Sequence, residues 1–220
     1  MARVSSFTGL IILGLMVLGA STVMATTISG SAVVGTGLTA SSTFNYSGGH
    51  FNGSLIFTNS SSTAQGVVAW SLQMFGGGTT ISGTGSGAGW TDFYFDHKQS
   101  NNGSACDTNS VNGWMCADGF THGTTPFHLG VVPGHGSLTF TFIGTYSGSS
   151  FINQLDLMAD GCSTTGYTIS SQGTVHCTSN KWAYSAGLPG SAPVPEPGTL
   201  ALLGSGLLGV GAIIRRKIGL

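Results

Sequence analysis

The segment Ser137-Leu-Thr-Phe-Thr-Phe-Ile-Gly-Thr145 places Leu138, Phe140 and Phe142 on one side of an extended chain and Thr139, Thr141 and Thr145 on the other. A period of two built from β-branched and aromatic residues marks a half-buried strand. Runs of the same kind occur at 54–58 (SLIFT), 66–75 (GVVAWSLQMF), 90–96 (WTDFYFD), 127–132 and 151–157. Between them YSGGHFNG, GGGTTISGTGSGAG and VPGHGS supply turn-formers, and no stretch shows helical periodicity with caps. Many short strands must bury one face against a second sheet, so the expectation is an all-β fold: a single antiparallel β-sandwich, jelly-roll-like, over residues 26–187.

An internal echo does not change that count. Residues 44–55 (FNYSGGHFNGSL) and 144–155 (GTYSGSSFINQL) share five of twelve positions at an offset of 100. Both read as a strand, an SGxx turn and a returning strand, and shared hairpin chemistry explains the match better than duplication.

Charge narrows the partners. Only 6% of the chain is charged, and of six cations four (Arg3, Arg215, Arg216, Lys217) lie in the terminal segments. Residues 26–193 hold Lys98 and Lys181 against Asp92, Asp96, Asp107, Asp118, Asp156 and Asp160, a net charge of −4. Nucleic acid is excluded as an expected partner, because neutralising phosphates needs a Lys/Arg face. The polar surface must come from Ser, Thr, Asn and Gly.

The N-terminal MARVSSFTGLIILGLMVLGASTVMA has one cation at Arg3, an apolar stretch over residues 10–18 and small residues up to Ala25. That is the layout of a secretory signal peptide over 1–25, cut by signal peptidase before Thr26; a retained anchor is the alternative. Cys106, Cys116, Cys162 and Cys177 suit the oxidising destination, where two disulfides persist. Three pairings are possible. Closeness in sequence favours Cys106 with Cys116 and Cys162 with Cys177, each loop worth roughly 2–3 kcal/mol by chain entropy. No CxxC or finger spacing points to a structural metal, and none is expected.

Residues 188–194 form a Pro/Gly/Ser linker in which repeated proline favours an extended chain. Beyond it, residues 199–214 carry no charge, and as a helix they cover about 24 Å of a hydrocarbon core about 30 Å thick. Arg215, Arg216 and Lys217 then act as a membrane stop, leaving the body outside and this end in the cytoplasm. The GSGLLG at 204–209 matches a dinucleotide fingerprint but lacks its preceding strand and its later acidic residue, so no cofactor is expected. Glycines in such a span instead allow close helix approach.

Val194-Pro195-Glu196-Pro197, then Leu202-Leu203, Gly206-Leu207 and Arg215-Arg216-Lys217, together with a signal peptide, resemble the PEP-CTERM sorting signal of exopolysaccharide-producing Gram-negative bacteria. The resemblance covers the tail, residues 195–217, and implies handling by an exosortase. It further implies processing near Pro195, Glu196 and Pro197, a membrane-anchored intermediate at the inner membrane, and delivery to the cell surface or extracellular matrix.

Glu196 is the one glutamate, so carboxylate chemistry in the body falls to the aspartates. Trp90, Asp92, Tyr94 and Asp96 share strand parity and form a candidate glycan-binding stripe; an ordinary solvated strand face is the competing reading. Asp156 and Asp160 read as strand-end and turn residues. The loop 106–118 offers Asp107, Asn109 and Asp118 as oxygen donors but lacks the order and the glutamate of a calcium loop. No HExxH and no GxSxG anchors a catalytic set, and four N-x-[ST] sequons follow from an Asn- and Ser-rich composition. The sequence thus supports an exported, non-enzymatic structural or adhesive protein with exopolysaccharide as a possible partner. A carbohydrate-binding module is the alternative, and a secreted hydrolase comes third.

Overall fold

The computed structural model describes residues 25–99, 106–119, 128–169 and 175–190. The signal segment up to Met24, the linker beyond Gly190, the processing motif, the 199–214 span and the basic cluster lie outside the described residues. So do the strand start at Phe127 and the side chains of Asp107 and Asn109.

The strands follow in chain order: β1 Thr26–Gly35, β2 Leu38–Ser47, β3 His50–Asn59, β4 Gln65–Gln73, β5 Thr80–Ser86, β6 Asp92–Gln99 and β7 Cys106–Asp118. Then come β8 Gly130–Val132, β9 Ser137–Ser147, β10 Leu155–Ser163, β11 Tyr167–Ile169, β12 Val175–Cys177 and β13 Trp182–Leu188. A first sheet has the order β1-β2-β3-β9-β5, and a second has β13-β10-β4-β7-β6, with β8 also pairing β4. All pairings are antiparallel, and β11 with β12 forms a separate hairpin. The expected antiparallel sandwich is the observed one.

The two sheets meet through rings. Phe140, on the alternating segment, lies 5.3 Å from Trp70 of the second sheet and 6.2 Å from Phe57 of its own, edge-on at 88°. Phe142 packs 6.5 Å from the same Trp70, and Phe57 reaches Trp182 at 6.3 Å. Each such ring, fully buried, contributes roughly 1.5–3 kcal/mol. Glycine makes the space: a Cβ at Gly53 would sit 2.5 Å from the Phe142 ring, and one at Gly144 would meet Phe51. These glycines stand mid-strand facing inward, where a side chain would be overpacked.

In β4, register skips from Asp160↔Ala69 to Gly161↔Val67, bulging the strand at Val68. The extra residue shifts the alternation, so Val67 and Trp70, three apart, both join the core while Val68 packs on the opposite side.

Several sequence expectations change. The run 151–157 is not one strand: Phe151 lies in the connection after β9, and β10 begins at Leu155. The echoed segments also differ, since 44–55 forms the β2–β3 hairpin whereas 144–155 leaves β9 in one sheet and enters β10 in the other. Asp160 sits within β10 rather than at a turn, and the final strand runs to Leu188, one residue past the expected boundary.

Candidate functional site

The Trp90, Asp92, Tyr94, Asp96 stripe does not form as an exposed surface. Trp90 precedes β6 and is 5% exposed, its ring 4.9 Å from Phe140 and its indole N–H donating to the His128 carbonyl at 2.6 Å. Alternation alone predicted parity with Asp92, but Trp90 lies before the strand, where that parity has no hold.

Asp96 adopts φ 59° and turns its carboxylate inward along the sandwich edge. It accepts the Ile81 N–H at 3.1 and 3.0 Å and the Gly113 N–H at 2.9 Å, tying β5, β6 and β7 together. Hydrogen bonds to an ionised acceptor contribute more than neutral ones, roughly 1.5–3 kcal/mol each. Asp96 therefore closes the β5 edge of the first sheet. At the opposite edge the Ser31 N–H donates to Pro189 at 3.0 Å.

Asp92 and Tyr94 remain neighbours. Asp92 is the register partner of Asp118 across β6 and β7. The Tyr94 hydroxyl is pushed up to about 12, first by burial, then by the negative charges of Asp92 and Asp118 and a hydrogen bond to Asp92. The unfolded chain gives up this proton near 10 and the folded chain near 12, so this contribution is complete below pH 10 and is lost as pH rises between the two values. Spectrophotometric titration should show one tyrosine ionising last, close to pH 12, with Asp92→Asn lowering that step.

The outer face of the second sheet is covered by its own chain. Cys106 and Cys116 are ten residues apart, which a straight strand would separate by about 33 Å, yet their Cα atoms lie 5.6 Å apart and they are disulfide-bonded. The β6–β7 ribbon therefore folds back on itself, helped by the positive φ of Asp96 and of Gly113 at 80°. Its returning end inserts polar groups into the sheet face. Gln99 N–H donates to Ser71 Oγ at 3.2 Å, Gln99 Nε2 to Asp160 at 2.6 Å, and Cys106 N–H to the fully buried Asp118 at 2.6 Å. A buried carboxylate is tolerable only when so paired.

The second disulfide, Cys162–Cys177, does the same job lower on the same face. It holds the β11–β12 hairpin against a small apolar cluster of Val68 and Cys162 with Leu129 and Tyr167. Both pairings follow the sequence-proximity expectation, and among the described residues no cysteine is free.

The outer face of the first sheet was missed at the sequence level. Across β5, β9 and β3 it carries an open hollow of about 520 Å³ lined by His50, Asn52, Ser82, Thr84, Ile143 and Thr145. The only advance signal was the Ser/Thr half of each alternating strand, which reads as ordinary solvated surface.

Among the described residues no helix is long and apolar enough to cross a membrane, and no three metal-binding side chains gather. Residues 193–217 match the family model of the PEP-CTERM protein-sorting motif. No curated protein matches the chain.

Proposed function

With the sorting motif of residues 193–217 marking an exported, exosortase-sorted chain, we propose that the mature product is a non-enzymatic structural or adhesive protein of the cell surface or extracellular matrix. Signal peptidase acts before Thr26, and the tail holds a membrane-anchored intermediate until exosortase acts near Pro195-Glu196-Pro197. Proline lacks a donor and disfavours helix at the residue before it, chemistry that suits recognition by a processing enzyme.

The sorting motif is the observation that carries the reading, and the use of the aspartates supports its non-enzymatic part. Asp96 holds backbone N–H groups at the sandwich edge, Asp118 holds the Cys106 N–H, and Asp160 holds Gln99. These carboxylates act as ties within the fold. The path of the last strand suits a tether: Pro189 pairs with Ser31, and Gly190 lies against Ser29, so the chain leaves beside its own first strand.

Replacing Pro195, Glu196 and Pro197 with alanine should leave the sandwich folded and trap the protein in the membrane fraction of an exosortase-positive host. If variant and parent distribute alike between membrane, surface and medium, the tail is a permanent anchor and the reading fails.

A further inference from the structure

Among the described residues the second sheet hides its outer face under two disulfide-held hairpins, whereas the first sheet leaves its outer face open. β1, β2, β3, β5 and β9 contain no Asp, Glu, Lys or Arg at all. Register places hydroxyl and amide side chains in rows across all five strands. One row runs Thr84, Ile143, Asn52, Asn45, Thr27, and the next runs Ser86, Thr141, Ser54, Thr43, Ser29. Neighbours along a row stand about 4.8 Å apart and successive rows about 6.7 Å apart.

The rows are already ordered by their own hydrogen bonds. Thr27 donates to Asn45 at 2.6 Å and Asn45 to Asn52 at 3.1 Å, while Ser82 pairs with Thr145 at 3.0 Å and Ser86 with Thr141 at 2.9 Å. Preordered side chains lose less rotamer freedom when a ligand arrives. Each hydroxyl both donates and accepts, and one internal bond leaves further capacity free.

We propose that this face is a docking surface for a neutral polysaccharide, seated over the hollow formed by His50, Asn52, Ser82, Thr84, Ile143 and Thr145. The proposal rests on the surface-protein reading above and names its ligand class. A chain of neutral sugars presents the same mixed donor and acceptor hydroxyls as the protein rows, and Ile143, 61% exposed, offers an apolar spot for the C–H side of a ring. An acidic glycan or a nucleic acid would meet no Lys or Arg on these five strands. A second copy fits poorly, because face-to-face sheets interdigitate apolar side chains, whereas Val33, Ile56 and Ile143 are the apolar side chains among the outward positions. Joining two such faces would strand hydroxyls without water.

The test is affinity electrophoresis of the mature protein extracted from the cell surface, in gels containing a neutral glucan, a neutral galactomannan or polygalacturonate. At least one neutral glycan should retard the protein equally at low and high salt. Thr84→Lys with Thr141→Lys should weaken retardation roughly tenfold, the loss of one to two hydrogen bonds' worth of affinity, with the thermal midpoint lowered by no more than the loss of the exposed Thr141–Ser86 bond explains. Ile169→Lys, on the separate β11–β12 hairpin, should change nothing. No retardation by either neutral glycan overturns the proposal. So does salt-sensitive retardation by polygalacturonate alone, or a concentration-dependent dimer in sedimentation that the lysine pair abolishes. None of these results touches the sorting reading, which the fractionation of the tail variant tests separately.

Discussion

Trp70→Ala is expected to destabilise the sandwich by about 3–5 kcal/mol, the largest single loss at any core position, whereas Trp70→Phe should cost less than half as much. Trp70 is fully buried and touches Phe93, Phe140 and Phe142, so it joins rings from both sheets. Truncation removes transfer energy and leaves a cavity between sheets that cannot collapse independently. Among the described residues the indole N–H has no hydrogen-bond partner, so phenylalanine removes a buried polar atom along with some volume. Urea unfolding of both variants measures the difference. Equal costs would mean that the N–H is satisfied or that the part of the indole which phenylalanine lacks carries the packing.

Removing the Cys162–Cys177 bridge by a double change to alanine should cost about 3 kcal/mol, the chain-entropy value for its fifteen-residue loop. The loss should also be local. The β11–β12 hairpin pairs with neither main sheet and reaches the body through Val68, Cys162 and Leu129. Protease should therefore cut within residues 164–178 while the near-ultraviolet signal of the tryptophans persists. The Cys106–Cys116 pair should behave differently. Its release withdraws the Cys106 N–H from buried Asp118 and the Gln99 amide from Asp160, so it weakens the second sheet itself. Identical protease patterns for the two variants would contradict this division.

Fold class was readable because hydrophobic period two is a direct consequence of strand geometry, and β9 shows it over its whole length. The disulfide pairing was readable for a related reason: residues close in sequence meet wherever a ribbon folds back. β1 and the first part of β2 were not readable. TTISGSAVVG and LTASSTFNYS carry small residues where strands usually carry large ones, and the glycines of the first look like turn signals. The structure gives the β1 glycines a purpose: a Cβ at Gly30 would meet Leu188, and one at Gly35 would crowd the Trp182 ring.

The candidate site was misread at both ends for a definite physical reason. Side-chain parity predicts a common face only while the backbone stays regular, and it fails just before β6 and again within it. Trp90 lies before the strand and turns into the core, and Asp96 sits at positive φ and turns toward β5. The sorting signal needed no fold at all, being written in local residue order at 193–217. The open hydroxyl face is the reverse case: each strand contributes unremarkable Ser and Thr, and only the register between strands assembles them into rows.

If the tail delivers this sandwich as cargo, the intact mass of the protein released from the surface of an exosortase-positive host will show it. The expected mass corresponds to an N-terminus at Thr26, two intact disulfides and a C-terminus within or just before Pro195-Glu196-Pro197, with residues 199–217 gone. A surface protein whose mass still includes the apolar run and Arg215, Arg216 and Lys217 would contradict it.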